Sequence, residues 1–331
     1  MSNSYKTDRR NFIKSAIIVG TGALLSRSGW GQGAGAEEGV ARYFTREAGK
    51  LKLLAVTDLH FFDSKTPEDN NQKTVAELKA LVEKFNPELM LVNGDMWFED
   101  LGGKSFEHCQ WAVDQIGRLG VPWIFNFGNH DAIQDFSKVY QTLANAPNSL
   151  FRGSANYGDY RVEICNPGVD DPFWNLIIVN DYFPDRGFNQ YQINWFNAEV
   201  ARIKEKYPAP VPAFIFAHIP LPQFNDLWKS GKAKGIKNEP VMFEGGTKKA
   251  FDAIKNSGMI KAFFAGHDHI NNYYGEMDGI RLMYLRATGY GGYGGGKVKK
   301  GGTILTIDLD QTPQFDTITV FEDGTTWNYE L

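Results

Sequence analysis

Cysteine is nearly absent. Cys109 and Cys165 are the only thiols in 331 residues, too few for a disulfide framework, and their spacing does not suggest a thiolate zinc site. They are expected as two solitary buried thiols; a disulfide between them stays open, since sequence cannot show that they meet. No apolar run is long enough for a membrane span, which needs about 20 residues. There is no excess of positive charge either: 35 Lys and Arg stand against 39 Asp and Glu, for a net charge of -4. The basic footprint of a general nucleic-acid binder is missing, and no nucleic-acid partner is expected. Internal repeats are lacking too. Histidine is scarce, with six in the chain, and its placement is informative. Five lie in short blocks that each follow an apolar run, and only His108 stands apart.

What is present suits a soluble globular protein long enough to bury a sizeable core. Glu37 to Lys50 is polar and reads as a lead-in. Leu51 to Thr57 reads as a first central strand, ending at Asp58. Gln72 to Phe85 has helical spacing, with Val75, Leu78, Leu81, Val82 and Phe85 as its apolar stripe. Leu89 to Val92 gives a second strand, Ser105 to Leu119 a helix and Val121 to Phe127 a third strand. That alternation argues for βαβ units with their strand ends on one edge of a mostly parallel sheet. Further on, Tyr160 to Ile164, Asn175 to Asn180, Ala213 to Ala217 and Lys261 to Ala265 look like strands. Gln190 to Lys206 and Lys248 to Lys255 look like helices. Arg281 to Ala287, Thr303 to Asp308 and Thr317 to Phe321 follow as strands without helices between them, as in a second, more antiparallel sheet. Residues 37–331 are expected to form a single domain.

The blocks carry the chemistry. They are Asp58-x-His60, Gly94-Asp95, Gly128-Asn129-His130-Asp131, His218 and Gly266-His267-x-His269. Carboxylate, imidazole and amide oxygen on loops after buried strands suit borderline and hard metals such as Fe, Mn and Zn. As an ordered series they resemble the motifs of the calcineurin-like metallophosphoesterases. That resemblance implies an α/β fold of two packed mixed sheets flanked by helices, a four-layer sandwich. It implies two divalent or trivalent metal ions, with Asp58, His60 and His269 on one, Asn129, His218 and His267 on the other, and Asp95 bridging. It further implies hydrolysis of a phosphate ester by a metal-bridging hydroxide. His130 would protonate the leaving alkoxide, and Asp131 would orient it. In the purple acid phosphatases a tyrosine lies three residues after the bridging aspartate; here that position is Phe98, so no tyrosinate-iron colour is expected. His218-Ile219-Pro220-Leu221-Pro222 and the tract from Tyr290 to Lys297 are similar to short purple-acid-phosphatase-like phosphoesterases, which points to phosphomonoesters. Phosphodiesters remain the alternative, and a non-catalytic scaffold a third reading.

Other residues are more open. The glycine-rich stretch Gly289 to Lys297 could close over substrate with Lys297 facing phosphate, or be merely a loop; it lacks the spacing of a P-loop. Arg186 could contact phosphate, with a solvated loop charge as the default. Phe61, Phe62, Trp97 and Phe98 read first as core packing, and second as an apolar rim. Asp268 could hydrogen-bond a neighbouring ligand.

Asp8-Arg9-Arg10-Asn11-Phe12-Ile13-Lys14 resembles a twin-arginine export signal. A short apolar stretch, Ser15 to Leu25, follows, and then Ala34-Gly35-Ala36 as a cleavage site. Residues 1–36 are therefore expected to be removed after Ala36 by way of the twin-arginine export machinery. The mature protein would be periplasmic or extracellular in a bacterium. No cysteine lies near the cleavage site, so neither a lipid anchor nor another stable membrane anchor is expected.

Overall fold

Strands buried on both faces read as unbroken apolar runs, and Ala213–Ala217 does so because its side chains alternate between two cores. Phe214 and Phe216 point into one hydrophobic cluster; Ala213, Ile215 and Ala217 point into the other. The same division splits Leu176 and Ile178 from Ile177 and Val179, and Ala262 and Phe264 from Phe263 and Ala265. These strands belong to a sheet with a second sheet on one face and helices on the other.

The protein is described by a computed structural model covering residues 37–99, 103–131, 135–182, 184, 186–244 and 248–328. The export signal expected in residues 1–36 lies outside the described residues. Fourteen strands are described: β1 (Val40–Phe44), β2 (Lys50–Val56), β3 (Leu89–Asn93), β4 (Trp123–Asn126), β5 (Tyr160–Cys165), β6 (Pro172–Val179), β7 (Ala213–Ala217), β8 (Lys234–Lys237), β9 (Ile260–Ala265), β10 (Asn271–Met277), β11 (Ile280–Tyr284), β12 (Gly301–Asp308), β13 (Phe315–Phe321) and β14 (Thr326–Asn328). The helices are α1 (Pro67–Phe85), α2 (Ser105–Gly117), α3 (Phe136–Asn145), α4 (Gln190–Lys206), α5 (Pro222–Lys229) and α6 (Lys248–Ser257). One sheet has the order β1-β5-β6-β7-β9-β11-β10-β8, the other β14-β13-β12-β2-β3-β4. Both are mixed, as expected. Helices α1 to α3 pack with the six-stranded sheet, α4 to α6 with the eight-stranded one.

The division of strands between sheets differs from the sequence reading. β12 pairs antiparallel with β2, so the C-terminal strands complete the sheet that the first βαβ units begin, and β9 and β11 join β7. Val40–Phe44, read as part of a polar lead-in, is an edge strand parallel to β5. Its Arg42, which breaks the apolar pattern, pairs with Glu163 at 2.9 Å. Helix α1 starts at Pro67, five residues before the Gln72 start read from the sequence. Pro67 at its first turn fits helical φ without losing a needed N–H, and Glu68 and Asp69 face the positive end of its dipole. Cys109 and Cys165 are buried and free, and burial pushes the Cys165 thiol up to about 12. No helix among the described residues is long and apolar enough to cross a membrane.

Parallel pairing of β2, β3 and β4, and of β6, β7 and β9, brings several strand ends to common edges. Ligands in open α/β sheets gather at the carboxyl ends of such strands.

Candidate metal centre

Each motif leaves the carboxyl end of a strand: Asp58 and His60 follow β2, Asp95 β3, Asn129 and His130 β4, His218 β7, and His267 and His269 β9. The loops after β2 and β3 run side by side. The Asp58 N–H donates to the Gly94 carbonyl (3.0 Å) and that of His60 to the Asp95 carbonyl (2.9 Å). Asn93 at the end of β3 donates its amide to the Ala217 carbonyl at 2.8 Å, pinning one sheet's loop edge to the other sheet. Asp58, His60, Asp95 and His267 all take positive φ, between 46° and 75°. That region costs a non-glycine residue on the order of 1–2 kcal/mol, and such strain gathers where the surrounding structure holds a functional site. The glycines before Asp95 and Asn129 are steric requirements. A Cβ on Gly94 would lie 2.4 Å from His218 Nδ1, and one on Gly128 would lie 2.2 Å from Asp95 Oδ1.

The side chains converge. Asp58, His60, Asp95 and His269 offer ligand atoms within 4.8 Å of one another, and so do Asp95, His218 and His267. Asp95 is shared by both groups. Its Oδ2 lies 3.1 Å from His218 Nε2 and 3.4 Å from His60 Nε2. Asp58 Oδ1 lies 3.1 Å from His269 Nε2, and the Nε2 atoms of His60 and His269 are 3.2 Å apart. Outer partners hold the rings: His60 Nδ1 lies 3.0 Å from Asp63 Oδ2, and His218 Nδ1 lies 2.8 Å from the Asn93 carbonyl. Among the described residues Asn129 Oδ1 is buried with no hydrogen-bond partner, and a buried polar atom of that kind asks for an explanation. Crowded carboxylates, inward Nε2 atoms and the Asn129 amide oxygen fit two cations, and the six residues with Asn129 would hold them.

Charge in the cluster is arranged for exchange with cations. Burial would raise the carboxyls of Asp58 and Asp95, but the imidazoles beside them (His269 and His218 for Asp58, His218 and His60 for Asp95) outweigh it and hold both well below the ordinary range. Burial lowers His60, yet Asp63 and Asp95 bring it up to about 9; His218 is likewise raised by Asp95 and Asp58. His267 is lowered to about 4 by burial and the charge of His218, and burial keeps His269 low despite Asp58. We take Asp58 and His269 as carboxylate and neutral imidazole, the protonation states a metal requires. Loading is therefore expected to release protons from His60 and His218. Both are raised above their unfolded value of about 6.5, so protonation stabilises the metal-free fold below that pH, and the His60 contribution fades as pH rises through about 9. A metal competes with those protons, so its apparent affinity rises over the same interval. Calorimetry in buffers of differing ionisation enthalpy should show net proton release at pH 7; none would contradict these protonation states.

His130 sits beside the cluster. Its ring centroid is 5.2 Å from that of His60, and its N–H donates to Asp95 Oδ1 at 2.8 Å. Asp131 does not orient it, which corrects the sequence reading. Its fully buried carboxylate accepts from the N–H groups of Gly128 (2.7 Å), Asp95 (2.8 Å), Met96 (2.8 Å) and Trp97 (3.1 Å), locking the third block's loop onto the second's. The partner of His130 is Glu99, whose Oε2 lies 2.8 Å from His130 Nδ1. Phe98 stacks on the other side, with centroids 5.0 Å apart.

The remaining candidates sit elsewhere. Lys297 is exposed, and its N–H closes a turn to Gly294; among the described residues no hydrogen bond or ion pair joins its side chain to the cluster. Arg186 pairs with Glu244 at 3.1 Å and lies over the Tyr182 ring. Phe61 and Trp97 are core residues, whereas Phe98 borders the site. His108 is a boundary residue stacked on Phe62. Asp268 accepts from Tyr284 O–H (2.5 Å) and the Met242 N–H rather than from a neighbouring ligand. Sequence reasoning missed Asn93, Glu99 and Tyr293. The first two stand two residues before and four after Asp95, a spacing that could have drawn attention to them.

A buried set of carboxylates and imidazoles on loops of two sheets makes this an α/β protein with a cluster suited to holding metal ions. Residues 51–271 match the calcineurin-like phosphoesterase family, and the chain belongs to it. It is 25% identical over 304 residues to "Probable inactive purple acid phosphatase 29" of Arabidopsis thaliana, covering 80% of this chain and 78% of that one. It is 26% identical over 294 residues to "Probable inactive purple acid phosphatase 14" of the same plant, covering 74% and 72%. Among solved structures, a dimetal phosphatase from Danio rerio shares the fold, with a TM-score of 0.54 at 12% identity, covering 85% of this chain and 99% of that one.

Proposed function

We propose that this chain is an exported two-metal phosphoesterase acting on phosphomonoesters. The observation that carries the proposal is the meeting of Asp58, His60, His218, His267 and His269 around Asp95, with His130 and its Glu99 partner alongside. When bound, two cations would acidify water and draw charge from the phosphoryl oxygens in an in-line displacement. The chain's part is positional. Asp95 takes the shared place, Asn129 adds a neutral oxygen that keeps the centre cationic, and His130 supplies a proton to the departing alkoxide. Glu99 holds the ring for that transfer and Phe98 limits its rotation. Iron, manganese and zinc suit the donor set.

His130→Ala is expected to keep its metal while losing roughly 10²–10⁴-fold in turnover of alkyl phosphates, the range for a removed general acid. Aryl phosphates, whose leaving groups need less help, should suffer much less. Glu99→Gln should fall between wild type and His130→Ala on the alkyl ester. Equal losses on alkyl and aryl esters would remove His130 from the acid role.

A phosphodiesterase using the same centre is the second reading, since the ligands are indifferent to the number of ester bonds. Comparing p-nitrophenyl phosphate with bis-p-nitrophenyl phosphate decides between them, the monoester being expected as the better substrate. The plant relatives carry "inactive" in their names, which favours a metal-binding scaffold as the rival of another kind. Failure to hydrolyse any phosphate ester after loading with Mn, Fe or Zn would establish that rival.

A further inference from the structure

The glycine-rich segment after β11 is turned inward, toward a metal ligand. Tyr293 touches His269 in three ways. The two rings stack, with centroids 4.0 Å apart and planes 11° from parallel. The Tyr293 carbonyl lies 3.2 Å from His269 Nδ1, and the His269 N–H donates to the Tyr293 hydroxyl at 3.3 Å. The clamp is itself held. The hydroxyl donates to Glu239 Oε2 (2.8 Å), and Glu239 Oε1 accepts from the Ile270 N–H (2.8 Å). Lys300, buried, donates its ammonium to the same Tyr293 carbonyl at 2.8 Å. From behind, Arg286 donates to the His269 carbonyl.

Glycine is what lets the segment come this close. A Cβ on Gly292 would stand 2.6 Å from His269 Cε1 and 3.0 Å from His60 Cδ2; one on Gly291 would stand 2.1 Å from the His60 carbonyl oxygen. His267, by contrast, has the edge-on ring of His218 at 5.3 Å as its described ring neighbour. The holding is therefore directed at one metal position.

We infer that Tyr293, presented by this segment and anchored by Lys300 and Glu239, is a positioning residue for the metal ion held by Asp58, His60 and His269. Its carbonyl accepts a hydrogen bond from the Nδ1–H of His269, which leaves Nε2 as the ligand atom, and its ring fixes the plane of the imidazole. Outer partners of this kind alter metal affinity by roughly 10–100-fold. The inference rests on reading the cluster as a two-metal centre.

The test is metal content and electron paramagnetic resonance after equilibration with Mn(II) and dialysis. Wild type should hold two equivalents and give an exchange-coupled signal. Tyr293→Ala, at a half-exposed position, should bind one of the ions roughly 10–100-fold more weakly, retain about one equivalent and show the spectrum of an isolated ion. Both variants keep the backbone carbonyl; Tyr293→Phe also keeps the ring stack, losing only the hydroxyl, and should hold both ions. Gly292→Ala, which pushes a methyl group at His269, should behave like Tyr293→Ala. If both Tyr293→Ala and Gly292→Ala keep two ions at unchanged affinity, the clamp is refuted while the metal centre stands. If wild type binds no metal, the underlying reading falls and the clamp with it.

Discussion

Asp95→Ala should empty both metal positions at once and lower phosphate-ester hydrolysis by about a thousandfold or more. The reason is its shared place. One Asp95 oxygen faces the Nε2 atoms of both His60 and His218, while the other accepts the His130 N–H. Removing it leaves two groups of ligands with no anion between them, so that two cations would repel each other unscreened. Metal catalysis of this kind contributes several kcal/mol, and about 1.4 kcal/mol is a factor of ten in rate. Single losses at the outer positions are expected to be milder, because the bridge survives: His267→Ala should lose one ion, not two. Metal analysis beside the rate of p-nitrophenyl phosphate hydrolysis checks this. An Asp95→Ala protein with two ions and near-normal turnover would show that the carboxylate does not bridge.

Asp131→Asn should unfold the loop edge rather than slow the chemistry. Burial and the Asp95 charge push the Asp131 carboxyl up to about 8. Four backbone N–H groups aimed at its two oxygens nevertheless leave no acceptor for a proton, and we take the group as a carboxylate that only accepts. An amide would turn an NH₂ group against two of those donors. Hydrogen bonds to a charged group contribute about 1.5–3 kcal/mol each, and leaving a buried donor unpaired costs about 1–3 kcal/mol. A loss of about 3–5 kcal/mol is the expected result, on the scale of breaking a buried charged interaction. Denaturant unfolding of Asp131→Asn beside His130→Ala makes the contrast, the latter staying near wild type. Equal stability of the two variants would show that the Asp131 carboxylate does not hold these loops together.

These variants mark where the sequence could be read and where it could not. The five blocks were legible because their chemistry is local: a ligand after a buried apolar strand, with a glycine that permits close approach in three of them (Gly94, Gly128 and Gly266). Ala213–Ala217 and Gln190–Lys206 stand where periodicity puts them, since the strand is buried at every position and the helix buries one apolar face around Ile193, Phe196, Val200 and Ile203. Val40–Phe44 did not, because an edge strand with Arg42 in its middle reads as polar. Asn271–Met277 opens on two asparagines, and their burial depends on partners such as the Asn238 N–H 33 residues away. The roles of single residues were harder still. Asp131 follows His130 in the chain, yet its carboxylate turns to backbone 34 to 36 residues away, and His130 finds Glu99 at a separation of 31. Neighbours in sequence are not neighbours in side-chain space. Tyr293 was passed over for the same reason. A glycine-rich tract suggests freedom, whereas here the glycines let the backbone press against His60 and His269.

Crystals of the Mn-loaded protein, measured at a wavelength where manganese scatters anomalously, test the central claim most directly. Two strong anomalous peaks flanking the Asp95 carboxylate, about 3.5–4 Å apart, are the expected result, one among Asp58, His60 and His269, the other among Asn129, His218 and His267. Difference density without anomalous signal there, or peaks remote from Asp95, would contradict it.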